Sequence, residues 1–228
     1  MKNSENTTFT YGIAQGLMRH LATTRSLYSL SLQGVIFDDK GYKKITHGLQ
    51  MNKTIKILSI TKAFFLPDSF AALMDSIACH SSIESLDLSY NALTDFHGKH
   101  LIHIITKQSN KRNESIWMKG LRGNNVDNKE ITGLTQINLS NNRLSDTFIR
   151  SASHYIQIDE YLRVVNLSSN IVEKDGCTLI ASSLKSNKCL INFDLRNNPG
   201  FGEVHLKEIS FVLARNLKSS CKSYEVIS

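Results

Sequence analysis

Ile83-Glu-Ser-Leu86-Asp-Leu88-Ser-Tyr-Asn91-Ala-Leu93 has the form L-x-x-L-x-L-x-x-N-x-L. The pattern recurs at Leu134, Ile137, Leu139, Asn142 and Leu144, and again at Leu162, Val165, Leu167, Asn170 and Val172. A further copy carries Leu190, Phe193, Leu195 and Asn198. Two weaker copies come earlier, Leu27-Leu30-Leu32-Phe37 and Ile55-Leu58-Ile60-Phe65, with Val35 and Ala63 at the asparagine position. The copies start at 27, 55, 83, 134, 162 and 190, in steps of 28, 28, 51, 28 and 28. The long step is one 28-residue repeat with 23 residues added.

Alternating apolar residues give a short strand with one buried face. A buried asparagine satisfies backbone groups that a stacked turn leaves unpaired. Asn91, Asn142, Asn170 and Asn198 are therefore structural turn residues. Helical spacing follows each strand, as in Ile45/Leu49, Leu101/Ile105 and Ile180/Leu184. A strand-plus-helix repeat of this length predicts an α/β leucine-rich-repeat solenoid of the ribonuclease-inhibitor-like class, with a parallel concave sheet and convex helices.

The expected organisation is a single domain over 1–228, with a partial repeat over 8–26 carried by Leu17 and Leu21. Leu206, Ile209 and Leu213 supply the last helix. Ser219 to Glu225 reads as an edge or a frayed end. The added residues, about 107–133, read as a projecting loop with a short helical turn. They carry Lys107, Lys111, Arg112, Lys119, Arg122 and Lys129 and the only tryptophan, Trp117. Long loops in compact proteins are usually functional or disordered. Trp117 is either an interaction anchor or a cap on the core beneath the loop.

Composition narrows the function classes. The chain is 41% hydrophobic and 21% charged, ordinary values for a folded domain. No apolar run approaches the ~18 residues of a membrane span, and the polar N-terminus carries no secretory signal, so a cytoplasmic protein is expected. Cys79, Cys177, Cys189 and Cys221 have no metal-binding spacing. The net charge of +7 is spread along the chain.

The outward strand row is Ser29, Ser31, Gln33; Ile57, Ser59, Thr61; Ser85, Asp87, Ser89; Gln136, Asn138, Ser140; Val164, Asn166, Ser168; Asn192, Asp194, Arg196. It is small and polar, without the aromatic and arginine anchors of a tight interface. Nor does it hold the basic stripe with stacking aromatics that nucleic acid requires. His97, His100 and His103 splay around a helix, because steps of three residues turn about 300° each. They do not make a three-histidine metal site. No G-x-S-x-G, P-loop or H-E-x-x-H motif occurs, and no histidine joins the outward row. These features predict no catalytic residue, metal, cofactor, small-molecule substrate, nucleic acid or membrane partner.

Arg112-Asn-Glu114-Ser-Ile-Trp117-Met-Lys-Gly-Leu121-Arg122, set between two repeats, resembles the insert of the centrosomal protein of 78 kDa family. Phe193-Asp194-Leu195-Arg196-Asn197-Asn198-Pro199 resembles that family's D-[IL]-R-x-N-P ending, and Thr8-Phe9 with Leu17 and Leu21 resembles the helix before its first clear repeat. The resemblance implies a non-enzymatic scaffold in the cytoplasm and cytoskeleton, at the centrosome or cilium basal body. It implies support of centriole function and cilium assembly, and protein partners that include centrosomal and ubiquitin-ligase components. The matching positions Arg112, Glu114, Trp117, Leu121, Arg122, Asp194 and Arg196 are the candidate partner-binding residues. Family members also carry a C-terminal coiled coil, for which this sequence shows no heptads. The competing readings are a small-GTPase-activating regulator, with Arg25, Arg143 or Arg196 as its arginine, and a generic recognition module.

Overall fold

Each L-x-L segment forms a parallel strand, and residues one repeat apart pair side by side. The computed structural model describes residues 2–63, 65–122 and 132–225. Among them the chain runs α1 (Lys2–Thr23), β1 (Ser29–Gln33), α2 (Asp39–Met51), β2 (Ile57–Thr61), α3 (Pro67–Cys79), β3 (Ser85–Asp87), α4 (Asp95–Leu121), β4 (Gln136–Asn138), α5 (Asp146–Ile158), β5 (Val164–Asn166), α6 (Lys174–Leu184), β6 (Asn192–Asp194) and α7 (Glu203–Glu225). Residues 123–131 of the expected loop lie outside the described residues.

The fold is α/β, and its described residues form two compact units. One draws on 2–87 and 103–134, the other on 88–102 and 135–225. In the first, β1, β2 and β3 are parallel neighbours, with Leu30 opposite Leu58 and Leu58 opposite Leu86. In the second, β4, β5 and β6 are parallel neighbours, with Ile137 opposite Val165 and Val165 opposite Phe193. Every pair is 28 residues apart, so the repeat length is the strand register.

Helix boundaries have local causes. Asp38 caps α2, its carboxylate accepting the Gly41 N–H at 2.8 Å. Pro67 starts α3, where its missing N–H costs nothing. Ser145 caps α5 by accepting from the Thr147 N–H. Buried Tyr42, Ile45 and Leu49 line one side of α2, and Phe148, Ile149, Ala152 and Ile156 one side of α5. Gly48 stands where a Cβ would crowd the Met18 backbone and the Leu21 side chain, so α1 and α2 approach closely.

A second 28-residue ladder was silent in the sequence. Gly34, Lys62, Tyr90, Asn141, Ser169 and Asn197 occupy equivalent turn positions, and all have positive φ, between 52° and 68°. Asparagine and glycine tolerate this region, but tyrosine, lysine and serine give no such signal. The stacked turns impose it.

Three expectations are corrected. Residues 107–121 are not loop: α4 continues unbroken to Leu121. Residues 219–225 are not an edge, since α7 extends to Glu225. Ser89 and Ser140, placed on the outward row, are buried, because the chain turns inward there toward Asn91 and Asn142. In α7, His205, Ile209, Val212 and Asn216 form the buried side, whereas Leu206 is 49% exposed.

Candidate interaction surface

The length of α4 originates at one side chain. The helices before the strands at Ile57, Ser85, Val164 and Asn192 end close to Asn52, His80, Asp159 and Asn187. Asn52 Oδ1 accepts from the N–H groups of Thr54 and Ile55 at 2.9 Å each, and Asn187 Oδ1 does the same for Cys189 and Leu190 at 2.8 Å each. Each side chain thus turns the chain from a helix end into the next strand. In register after His80 stands Gln108, a good helix former with a longer reach. The helix continues past it. Gln108 Oε1 instead accepts from the Leu134 N–H at 2.6 Å, and its Nε2 donates to the carbonyls of Ile77 (3.0 Å) and His80 (3.2 Å).

Arg112, one turn further, completes the join. Its Nη2 donates to Leu134 O at 2.7 Å and its Nε to Thr132 O at 3.2 Å. Gly133 makes room for the guanidinium: it sits at φ +132°, and a Cβ there would collide with Arg112. Arg112 is only 6% exposed. Of the candidate partner-binding residues, it is the one occupied in closing the insertion.

Beyond the join, the helix surface is open. Glu114, Trp117, Met118 and Leu121 are spaced i, i+3, i+4 and i+7, so they share one face. Trp117 is 65% and Leu121 64% exposed; Glu114 and Arg122 are also exposed. Trp117 therefore does not cap a core. Met118 belongs to the same strip and was missed in the sequence, although the helical spacing would have shown it had the segment been read as helix. Beside this strip a cleft of about 190 Å³ is lined by residues that include Ser81, Gln108, Lys111 and Ser115. Lys111 Nζ donates to Cys79 O at 3.3 Å, at the C-terminal end of α3 where a cation is favoured.

Asp194 and Arg196 belong to the other unit. They form a forked pair, with Arg196 Nη2 donating to Asp194 Oδ2 at 2.6 Å and Nε to Oδ1 at 3.0 Å. Asp194 Oδ1 also accepts the Arg196 N–H, as Asn166 does for Ser168 and Asn138 for Ser140. The hydrogen bonds from Arg196 outweigh the desolvation of Asp194 and hold its carboxyl below the ordinary aspartate value.

Asn91, Asn142, Asn170 and Asn198 are buried. Asn170 Oδ1 accepts from Leu144 N–H and Asn198 Oδ1 from Val172 N–H, each at 3.0 Å. His97 Nδ1 accepts the Thr94 N–H at 3.1 Å, a capping role at the start of α4. His103 lies 3.6 Å from Asp75. Among the described residues no group of three or more His, Cys, Asp or Glu side chains is arranged to hold a metal ion. No described helix is long and apolar enough to cross a membrane.

Fold and surface together define an α/β repeat protein whose longest helix presents apolar side chains to solvent. No family model matches the chain. Its curated relatives are the centrosomal protein of 78 kDa of Homo sapiens (22% identical over 96% of this chain and 32% of the relative) and of Mus musculus (22%, 96% and 28%). The Protein Cep78 homolog of Drosophila melanogaster is 24% identical over 84% of this chain and 24% of its own length. The likeness to these relatives thus extends over most of the chain, and the chain spans 24% to 32% of their length. Among solved structures, the leiomodin-1 actin-binding site 2 domain superposes with a TM-score of 0.56 at 10% identity, covering 92% of each chain. The Caenorhabditis elegans tropomodulin C-terminal domain gives 0.57 at 10% identity, covering 92% of this chain and 97% of that one. These two likenesses are of fold.

Proposed function

We propose that this chain is a non-enzymatic protein-interaction scaffold of the centrosome, folded as a single leucine-rich-repeat domain of the ribonuclease-inhibitor-like class. The exposed strip of α4, with Trp117 and Leu121 as anchors and Glu114 and Arg122 at its rim, is its contact surface; Asp194 and Arg196 are a second, polar contact point. The observation that carries this reading is the exposure of a tryptophan and a leucine one helical turn apart, on an insert whose sequence resembles the centrosomal relatives. Large side chains of this kind concentrate binding energy when a partner covers them. The process served is centriole function and cilium assembly at the basal body, with ubiquitin-ligase components among the partners.

The test is the position of the tagged chain against a centriole marker, compared with a Trp117→Ala/Leu121→Ala variant. Focal overlap that the double variant loses supports the proposal. A diffuse signal for both, with no partner recovered by either, overturns it.

A further inference from the structure

We propose that the exposed face of α4 receives an acidic amphipathic segment of a partner protein. The proposal rests on the reading of α4 as the contact surface and names the chemistry of what that surface binds.

Two features of one face point to this occupant. Trp117, Met118 and Leu121 form an apolar strip that water covers in this chain. Lys107 and Lys111 follow one edge of the strip, because 107, 111 and 118 are spaced i, i+4 and i+11 on α4, and Arg122 stands in the turn directly after the helix. The cleft along that edge holds Lys111 with the hydroxyls of Ser81 and Ser115, and none of its described lining residues is a carboxylate. A cation beside hydroxyl donors is a setting for a carboxylate side chain. A segment with leucines on one face and glutamates on its flank would satisfy strip, edge and cleft together, in the manner of a helix laid against an apolar surface. The net charge of +7 favours its approach at long range.

The same edge is less suited to nucleic acid or to an anionic bilayer. Both present phosphates in bulk, and Glu114 sits on the strip itself, three residues before Trp117. Nucleic-acid surfaces also use several stacking aromatics, and this face has one.

The experiment measures binding of fluorescent peptides to the full 228-residue chain. The probe is a synthetic amphipathic helix with leucines on one face and glutamates elsewhere. Its counterpart carries lysines in place of the glutamates, and vesicles rich in phosphatidylserine form a third arm. The acidic peptide is expected to bind more tightly than the basic one, and to lose about tenfold in affinity both on Trp117→Ala and on Lys107→Glu/Arg122→Glu. All of these residues are exposed, so the variants keep the fold, which circular dichroism checks. Equal binding of the two peptides, binding indifferent to the substitutions, or preference for the vesicles overturns the proposal. If neither peptide binds while Trp117→Ala/Leu121→Ala still abolishes the centrosomal focus, the acidic chemistry falls and the interaction reading stands.

Discussion

Asn142 Oδ1 accepts the backbone N–H groups of both Asn91 and Leu93 at 3.0 Å, from residues 51 and 49 positions earlier. Its Nδ2 donates to Leu88 O at 3.1 Å and to Leu139 O at 2.9 Å. One buried amide therefore stitches two turns together across the added residues. Removing it takes the acceptor from the N–H groups of Asn91 and Leu93, at about 1–3 kcal/mol for each, while Leu88 O and Leu139 O keep the amides of Asn91 and Asn170. Asn142→Ala is expected to destabilise by roughly 2–4 kcal/mol, read as a lower denaturant midpoint. Asn138→Ala, which removes one partly buried bond to Ser140 N–H, serves as the comparison and is expected to cost under about 1 kcal/mol.

Arg112 offers a second test, in the other unit. Arg112→Ala strands the buried carbonyl of Leu134, and Gly133→Ala drives a methyl group into the guanidinium while straining a positive φ. Each is expected to cost on the order of 1–3 kcal/mol. The loss would be seen as faster amide hydrogen exchange at Leu134 and in the last turns of α4. Unchanged exchange at Leu134 would show that the join does not depend on Arg112.

His80 supplies a pH dependence. Burial, reinforced by the charges of Lys53 and Lys111, pushes its pKa down to about 4; the backbone of Asn52 and Leu49 pulls weakly the other way. Its Nδ1 accepts the Ser82 N–H, which suits the neutral ring. Above about pH 6.5 the ring is neutral folded and unfolded, and it contributes no slope. Between about 6.5 and 4 the unfolded chain takes up a proton that the folded chain refuses, so stability falls with pH. The loss is on the order of 3 kcal/mol across that window. His80→Asn, which copies the turn role of Asn52 and Asn187, is expected to flatten this part of the profile. An unchanged acid profile in the variant would place the dependence elsewhere.

Trp117 is the only tryptophan, so its emission reports on the α4 surface alone. With most of its indole in water, the emission is expected to lie at the red end of the tryptophan range and to be quenched efficiently by acrylamide. Trp117→Ala is expected to leave the thermal midpoint within about 1 °C, since no packed core is lost. A blue, protected emission would contradict the exposed placement.

Arg196→Ala is expected to leave thermal stability unchanged, because the guanidinium is in water and its pair with Asp194 is screened. Asp194→Asn keeps the acceptor for the Arg196 N–H and should be equally silent. A clear loss of stability in either would give the pair a structural role beyond its turn.

Strand positions were legible in the sequence because a strand with one buried face writes its period into the chain. Leu86 and Leu88, or Val165 and Leu167, can be read without a structure. So were the turn asparagines, whose side chain serves the buried backbone in a way that apolar residues cannot. The surface residues Glu114, Trp117, Leu121 and Arg122 were legible only as types. Their shared face was not, because Lys107–Leu121 reads as a polar interruption until its helix is seen.

The sequence by itself therefore determined the 28-residue parallel register, the strand-and-helix alternation and the buried asparagines, all of which follow from local periodicity. Only the tertiary structure decided that Arg112 is buried while Trp117 is open. Arg112 needs the carbonyls of Thr132 and Leu134 to offset the cost of burying a cation, and those lie 20 and 22 residues away along the chain. The positive φ at Tyr90 and Ser169 was likewise invisible, since stacked turns, and not those residues' own preferences, hold the backbone there.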